Sequence, residues 1–265
     1  MNPNTTLITG FFDIGRQNWD AGFPRSNAVY LEYFNRLAGL QNPIVVYTSS
    51  QMVDVIKQQV KWNNVTFVVL DWVEKYSAVT GRIERVMKSP EYRAKLADNE
   101  ATNFLPENRI PAYVAVTNRK IEWVSDAIDR GLVNTEYAAW IDFGYVREEA
   151  TLAGLSQYDC PFEDDKIHMF SRRDLTRIKL EGAMLWNLVY FMGGSIVGKK
   201  ESWAAFNEIY YSEFERFLQK GIIDDDQGFL LASYVQKPEL FEAHITSDWF
   251  PLFKQFSKKS WKIIL

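Results

Sequence analysis

Apolar and polar positions alternate along this chain in two rhythms. "TTLITGF" at 5–11 is β-branched and short, as a strand would be, and stops at a glycine-containing turn. Ser26 is a good helix N-cap, and after it Tyr30, Leu31, Phe34 and Leu37 recur at helical spacing until Gly39. "PIVVYTSS" at 43–50 is a continuous apolar run suited to a strand buried on both faces. A helix with Met52, Val53, Ile56 and Val60 inward follows, then a third strand, "VTFVVLD", at 65–71. Strand, helix, strand, helix, strand predicts βαβ units and a mainly parallel sheet. Such a sheet binds ligands beyond the carboxyl ends of its strands, here Gly10–Asp13, Tyr47–Ser49 and Asp71.

Further on, residues 72–110 are charged, helix-prone and interrupted by Pro90 and Pro106, which predicts an excursion over one sheet edge. Ile121, Trp123, Val124 and Ile128 mark an amphipathic helix within 116–131, stopped by Gly131. "AAWIDFGYV" at 138–146 then delivers one carboxylate, Asp142, to the end of a buried strand. "KIHMF" predicts another short strand, "AMLWNLVYFM" at 183–192 a core segment, and Lys200–Lys220 a helix. No repeat, low-complexity tract or linker interrupts the 265 residues, so the economical organisation is one domain.

Composition narrows the function classes. With 47% apolar and 24% charged residues, the chain is that of an ordinary globular protein. A net charge of -4 argues against nucleic acid as the partner. The single cysteine, Cys160, can form no internal disulfide, and "MNPNTTLITG" lacks the basic start and apolar stretch of a secretory signal; both point to the cytoplasm. No run reaches the ~18–20 apolar residues that span a bilayer, although the basic and apolar tail "KKSWKIIL" could touch an anionic membrane surface from the side.

Four stretches invite chemistry. Asp142 at a strand end can hold a divalent cation or a ribose hydroxyl, or cap a turn, and Gly144 lets backbone pass closely under a bound group. Asp224, Asp225 and Asp226 stand at a helix start, where one would cap the helix and the others be solvated, unless a basic group, a metal or an acceptor hydroxyl lies near. "GGSIVGKKES" approaches the phosphate loop G-x-x-x-x-G-K-[ST], but Lys200 stands where the magnesium-binding hydroxyl belongs; a glycine-rich turn near a ligand is the alternative. Arg16 and Arg25, after the first strand, could pair with a diphosphate or lie solvated, and His168 and His244 are single metal ligands or structural histidines.

In their order and spacing, "TLITGFFDIGR", "PIVVYTSS", "NRKIEWVSDAI", "AAWIDFGYVR" and "IIDDDQGFLLASYVQKPELF" resemble the bacterial HtrL/YibB family, also called the WlaTC group, over about residues 5–255. Trp140-Ile141-Asp142-x-Gly144 with Arg147, and Asp225-Asp226-Gln227, are the most specific pieces. The resemblance implies a GT-A glycosyltransferase: a Rossmann-like, mainly parallel central sheet flanked by helices, with a nucleotide-sugar half over about 1–145 and an acceptor half over about 146–265. It implies a donor site of Thr9, Gly10, Phe11, Arg16, Arg25, Thr48, Lys120, Asp142 and Gly144, and an acceptor site of Gly193, Gly194 and Gln227. Asp142 takes the place of the D-x-D motif and would hold Mn²⁺ or Mg²⁺; the second Asp of that motif is Gly144 here, so diphosphate, water or a residue elsewhere would complete the ion's shell. Asp226, with Asp225 second, would be the base of an inverting transfer. A hexose would pass from a nucleotide sugar, such as UDP-galactose or UDP-glucose, to a surface glycan or its lipid-linked form: lipopolysaccharide core, O-antigen or capsule. An ATP-dependent phosphotransferase built on 193–200 and a catalytically dead sugar-nucleotide-binding protein are the competing classes.

Overall fold

A computed structural model describes residues 2–19, 24–60, 63–96 and 104–261. The chain runs β1 (Thr5–Phe11), α1 (Asn27–Ala38), β2 (Ile44–Thr48), α2 (Ser50–Gln59), β3 (Val65–Val69), α3 (Trp72–Lys88), α4 (Pro90–Leu96), α5 (Pro111–Thr117), α6 (Lys120–Asp129) and β4 (Tyr137–Ile141). It continues with β5 (Ile167–Ser171), α7 (Leu180–Leu185), β6 (Phe191–Lys199), α8 (Trp203–Gln219), α9 (Asp226–Gln236), β7 (Phe241–Ile245), α10 (Pro251–Gln255) and α11 (Lys258–Trp261).

The seven strands form one sheet in the order β3-β2-β1-β4-β6-β5-β7. It is α/β and mostly parallel, as expected: β3, β2, β1 and β4 run together, and β5 runs parallel to β7. Only β6 is antiparallel to both of its neighbours, so its start lies at the edge where the other strands end. Both faces are covered. Along β4, Ala138 and Trp140 pack into the core under α3–α6, α8 and α9, while Tyr137, Ala139 and Ile141 face the core under α1, α2 and α10. That period of two, apolar on both sides, is why the strand reads as an unbroken apolar run.

Local signals held where they were short-ranged. Ser26 caps α1 by accepting from the Val29 amide, and Asp71 caps α3 by accepting from Glu74. The helix expected within 116–131 is interrupted: α5 ends at Thr117 and α6 begins at Lys120. Buried Asn118 spans the break, its amide donating to the carbonyls of Val114 and Asp224. Residues 72–110 do not merely skirt an edge, because Tyr76, Ile83 and Met87 of α3 enter the core on one face of the sheet; residues 97–103 lie outside the described ones.

Two expectations are corrected. "AMLWNLVYFM" is not one core segment: α7 stops, Trp186 and Leu188 are exposed around Asn187 at φ 47°, and only then does β6 start. "GGSIVGKK" is neither a phosphate loop nor a turn. Residues 193–199 lie in β6, which pairs with β4 over Ser195–Lys199 and with β5 over Ile196–Gly198, and Lys199 ends at the opposite sheet edge, bound to Asp165. Backbone amides committed to a ladder cannot cradle phosphate, so the phosphotransferase alternative loses its site.

His168 and His244 pair across β5 and β7, ring nitrogens 3.0 Å apart, and stack on Phe162. Burial pushes His168 down to about 4 and the Cys160 thiol up to about 12. Among the described residues no helix is long and apolar enough to cross a membrane, and no three His, Cys, Asp or Glu side chains form a metal-holding group. Residues 262–265 of the basic tail lie outside the described ones.

Candidate functional site

A cavity of about 460 Å³ opens at the carboxyl edge of the sheet, between β1 and β4. This is where the strand order reverses, with β2 and β3 on one side of β1 and the rest of the sheet on the other. Gly10 and Phe11 from the end of β1, Asp142 and Gly144 from the end of β4, and Gly193 and Gly194 from the start of β6 line it. β6 contributes its beginning because it alone is antiparallel there.

Lys120, the first residue of α6, lies at the cavity floor. Its ammonium is 2.9 Å from Asp142 Oδ1, 2.9 Å from Asp226 Oδ2 and 2.9 Å from the Gly193 carbonyl oxygen. An ammonium has three protons, and all three are donated. Trp140 Nε1 donates to the same Asp142 oxygen at 2.8 Å, which holds that carboxylate toward Lys120. The Asp142 amide in turn donates to the Gly194 carbonyl at 2.9 Å. Burial by itself would lower Lys120, but Asp142 and Asp226 outweigh it and push its pKa up, so it stays charged.

The three aspartates at the start of α9 are not solvated: each is at most 5% exposed, and a basic group, Lys120, stands against Asp226. Asp225 caps α9 by accepting from the Gln227 amide and also accepts from Tyr113 Oη at 3.3 Å. Asp224 accepts from the Asp225 amide at 2.8 Å. Burial, reinforced by neighbouring carboxylates including Glu107, raises Asp224 and Asp225. Asp226 is raised to about 7 by burial against the opposing pull of Lys120. A carboxylate poised near neutrality is what a general base needs.

Arginines stand on the other wall. Arg16, Arg25 and Arg147 all line the cavity, and Arg147 is lowered first by burial and then by Arg25, with Arg16 adding to it. Arg147 also lies over Phe250, and Arg16 over Trp19 and Tyr30. Gln227 lines the cavity, and its Oε1 is buried without a hydrogen-bond partner among the described residues, so a ligand hydroxyl could donate to it.

Of the residues expected at the site, Gly10, Phe11, Arg16, Arg25, Lys120, Asp142, Gly144, Gly193, Gly194, Asp226 and Gln227 line the cavity. Thr9, Thr48 and Asp225 do not line it; Thr48 Oγ1 donates to the Phe11 carbonyl at 2.6 Å and braces β1 against β2. Tyr113, Trp140, Arg147, Trp249 and Phe250 also line it without having been placed there from sequence. Arg147 is five residues past Asp142, so the resemblance already marked it; Trp249 and Phe250 had no local signal.

The residues present do not fit Mn²⁺ or Mg²⁺. Even where waters and a substrate's phosphates supply most of a hard divalent cation's oxygens, the protein gives one or two carboxylates that are free for it. Only one carboxylate stands at the D-x-D position, and Lys120 and Trp140 occupy its inward oxygen. At Gly144 a Cβ would fall 2.8 Å from the Tyr30 ring, so a second carboxylate has no room there.

Comparison with known proteins agrees with the sequence order noted above. A family model described as "Bacterial protein of unknown function (HtrL_YibB)" matches residues 3–258. Protein HtrL of Escherichia coli (strain K12) is 36% identical over 268 residues, covering 97% of this chain and 93% of that protein. Among solved structures, mouse xyloside xylosyltransferase 1 in its apo form is similar at 9% identity and a TM-score of 0.42, over 91% of this chain and 85% of that one. By the family match and the relationship to HtrL, the chain belongs to the bacterial HtrL/YibB family.

Proposed function

We propose that the protein is an inverting GT-A glycosyltransferase, one catalytic domain in which about 1–145 holds the donor and about 146–265 the acceptor. It moves a hexose from a nucleotide sugar, a UDP-sugar such as UDP-galactose or UDP-glucose, to a surface glycan or its lipid-linked form: lipopolysaccharide core, O-antigen or capsule. The observation that carries this reading is the juxtaposition, in one cavity at the sheet's switch point, of an arginine wall with a buried carboxylate raised to about 7.

The chemistry follows from those two features. The acceptor hydroxyl oxygen bonds to the anomeric carbon as the bond from that carbon to the diphosphate oxygen breaks, and the electron pair leaves with the diphosphate. Asp226 takes the hydroxyl proton. Arg16, Arg25 and Arg147 meet the charge that grows on the departing diphosphate. Proton uptake by Asp226 also makes the Lys120–Asp142–Asp226 floor one unit less negative as the leaving group becomes more negative. Gln227 orients a sugar hydroxyl through its buried oxygen, and Gly193 and Gly194 line the acceptor's side of the cavity.

A thermal-shift screen against UDP-, GDP-, CMP- and dTDP-sugars and ATP tests the proposal. A ligand of the folded state at 100 times its Kd stabilises by about 2.7 kcal/mol. Stabilisation by one sugar nucleotide, together with slow donor hydrolysis lost in Asp226→Asn, is the expected result. A shift with ATP alone would overturn the proposal, and donor binding without transfer or hydrolysis would favour a catalytically dead binding protein.

A further inference from the structure

The position between the two floor carboxylates, where a bridging cation would sit, is already taken by a side chain. Lys120 is 8% exposed, and its three N–H bonds go to Asp142, Asp226 and Gly193, each at 2.9 Å. Two other contacts keep it there. Trp140 Nε1 fixes the Asp142 oxygen that faces it, and Gly193 has no Cβ, which at that place would fall 1.5 Å from Asp226 Oδ2. Moving the ammonium aside to admit a metal ion would leave a buried charge without partners, which costs far more than an exposed one.

Charge balance points the same way. With both carboxylates ionised, Lys120 is more than neutralised, so the floor has no positive charge to spare for an anionic ligand. The positive charge comes from Arg16, Arg25 and Arg147, set close enough that Arg25 and Arg16 both lower Arg147. Asp13 also lines the cavity, so three guanidinium groups against one carboxylate leave positive charge there, and their paired donors match phosphate oxygens.

We propose that Lys120 is the resident cation of this site, and that the protein binds a nucleoside diphosphate through Arg16, Arg25 and Arg147 without Mn²⁺ or Mg²⁺. This rests on the nucleotide-sugar reading of the cavity. Lys120 is then a positioning residue: it orients Asp142 and Asp226 as a bridging metal would, and it does not exchange with solvent.

Two measurements on the whole chain test it. In the first, Mn²⁺ alone is added to the protein and free Mn²⁺ is followed by its electron paramagnetic resonance signal. Wild type is expected to leave that signal undiminished, whereas folded Lys120→Ala, with two facing carboxylates and no ammonium, takes up one ion. Lys120→Arg keeps a cation there and stays blind to Mn²⁺. In the second, UDP affinity is measured by calorimetry in EDTA and in Mn²⁺, and the two values are expected to agree within about twofold, while Arg147→Ala weakens both by about tenfold or more. Uptake of one Mn²⁺ by wild type, or UDP binding about tenfold or more tighter with Mn²⁺ than with EDTA, would overturn the inference. So would a folded Lys120→Ala that ignores Mn²⁺, since the ammonium would then not be what excludes the ion. If no nucleotide binds in either buffer, the glycosyltransferase reading fails instead, and the Mn²⁺ titration of wild type still decides whether the cation position is closed.

Discussion

Gly193 and Asp226 meet so closely across the cavity floor that a Cβ at 193 would fall 1.5 Å from the Asp226 Oδ2 that pairs with Lys120. Asp226 cannot swing away cheaply, because it is the first residue of α9 and its carboxylate is 5% exposed. The start of β6 and the start of α9 therefore fit only if residue 193 has no side chain. Gly193→Ala is expected to destabilise the fold by about 1–3 kcal/mol through overpacking. Gly194→Ala meets nothing nearer than the Tyr145 ring at 3.4 Å and should cost less than about 1 kcal/mol. Denaturant melts of the two variants check the contrast.

Asp226 and Asp225 are adjacent in sequence but face different partners. Asp226 lines the cavity, whereas Asp225 caps α9 and accepts from Tyr113. If Asp226 is the base, Asp226→Asn should lower kcat by about 10²- to 10⁴-fold with little change in donor KM. Asp225→Asn keeps a capping oxygen and should leave kcat within about tenfold of wild type. Steady-state kinetics on both variants with the donor found by the screen would reverse the assignment if the losses were exchanged.

The pH dependence of transfer has a definite sign. Asp226 is held up at about 7, by burial before any other cause, and it accepts a proton only when ionised. Below about pH 7, kcat/KM should fall about tenfold per unit of pH. A profile flat from pH 5 to 8 would remove Asp226 from the role of base.

Stability should respond to the same burial in the opposite direction. Asp225 is raised from 3.8 to about 7, so between those values the folded state binds a proton that the unfolded chain has lost. Its contribution is complete below about pH 4 and is lost as pH rises toward 7. Asp225→Asn does not titrate, so its stability relative to wild type should improve across that window by more than about 1 kcal/mol. Urea melts of both proteins at pH 4.5 and 7.5 measure the difference.

Arg147 is partly exposed, lies over Phe250 and lines the cavity. Arg147→Ala should raise donor KM more than it lowers kcat, and the ratio of mutant to wild-type KM should shrink as salt screens the wild-type attraction. A KM that ignores ionic strength in both proteins would place the diphosphate elsewhere.

The sequence by itself determined the elements whose causes lie within a few residues. β1 falls at 5–11 because a β-branched run favours a strand, α1 starts where Ser26 can cap it, and Asp142 follows β4 because an unbroken apolar run ends there. These are short-range effects of dihedral preference, capping and burial. Only the tertiary structure decided that Lys120 and Asp226, 106 residues apart, share a proton contact at 2.9 Å, or that three aspartates with every local sign of a solvated cap are buried. It also decided that "GGSIVGKK" is a strand: its glycines suit a turn as well as a ladder, and β4 and β5 settled the matter by offering it hydrogen-bond partners on both sides. Spacing along a chain carries no information about which distant groups will lose their water together, and that shared desolvation is what turns a lysine and two aspartates into a site.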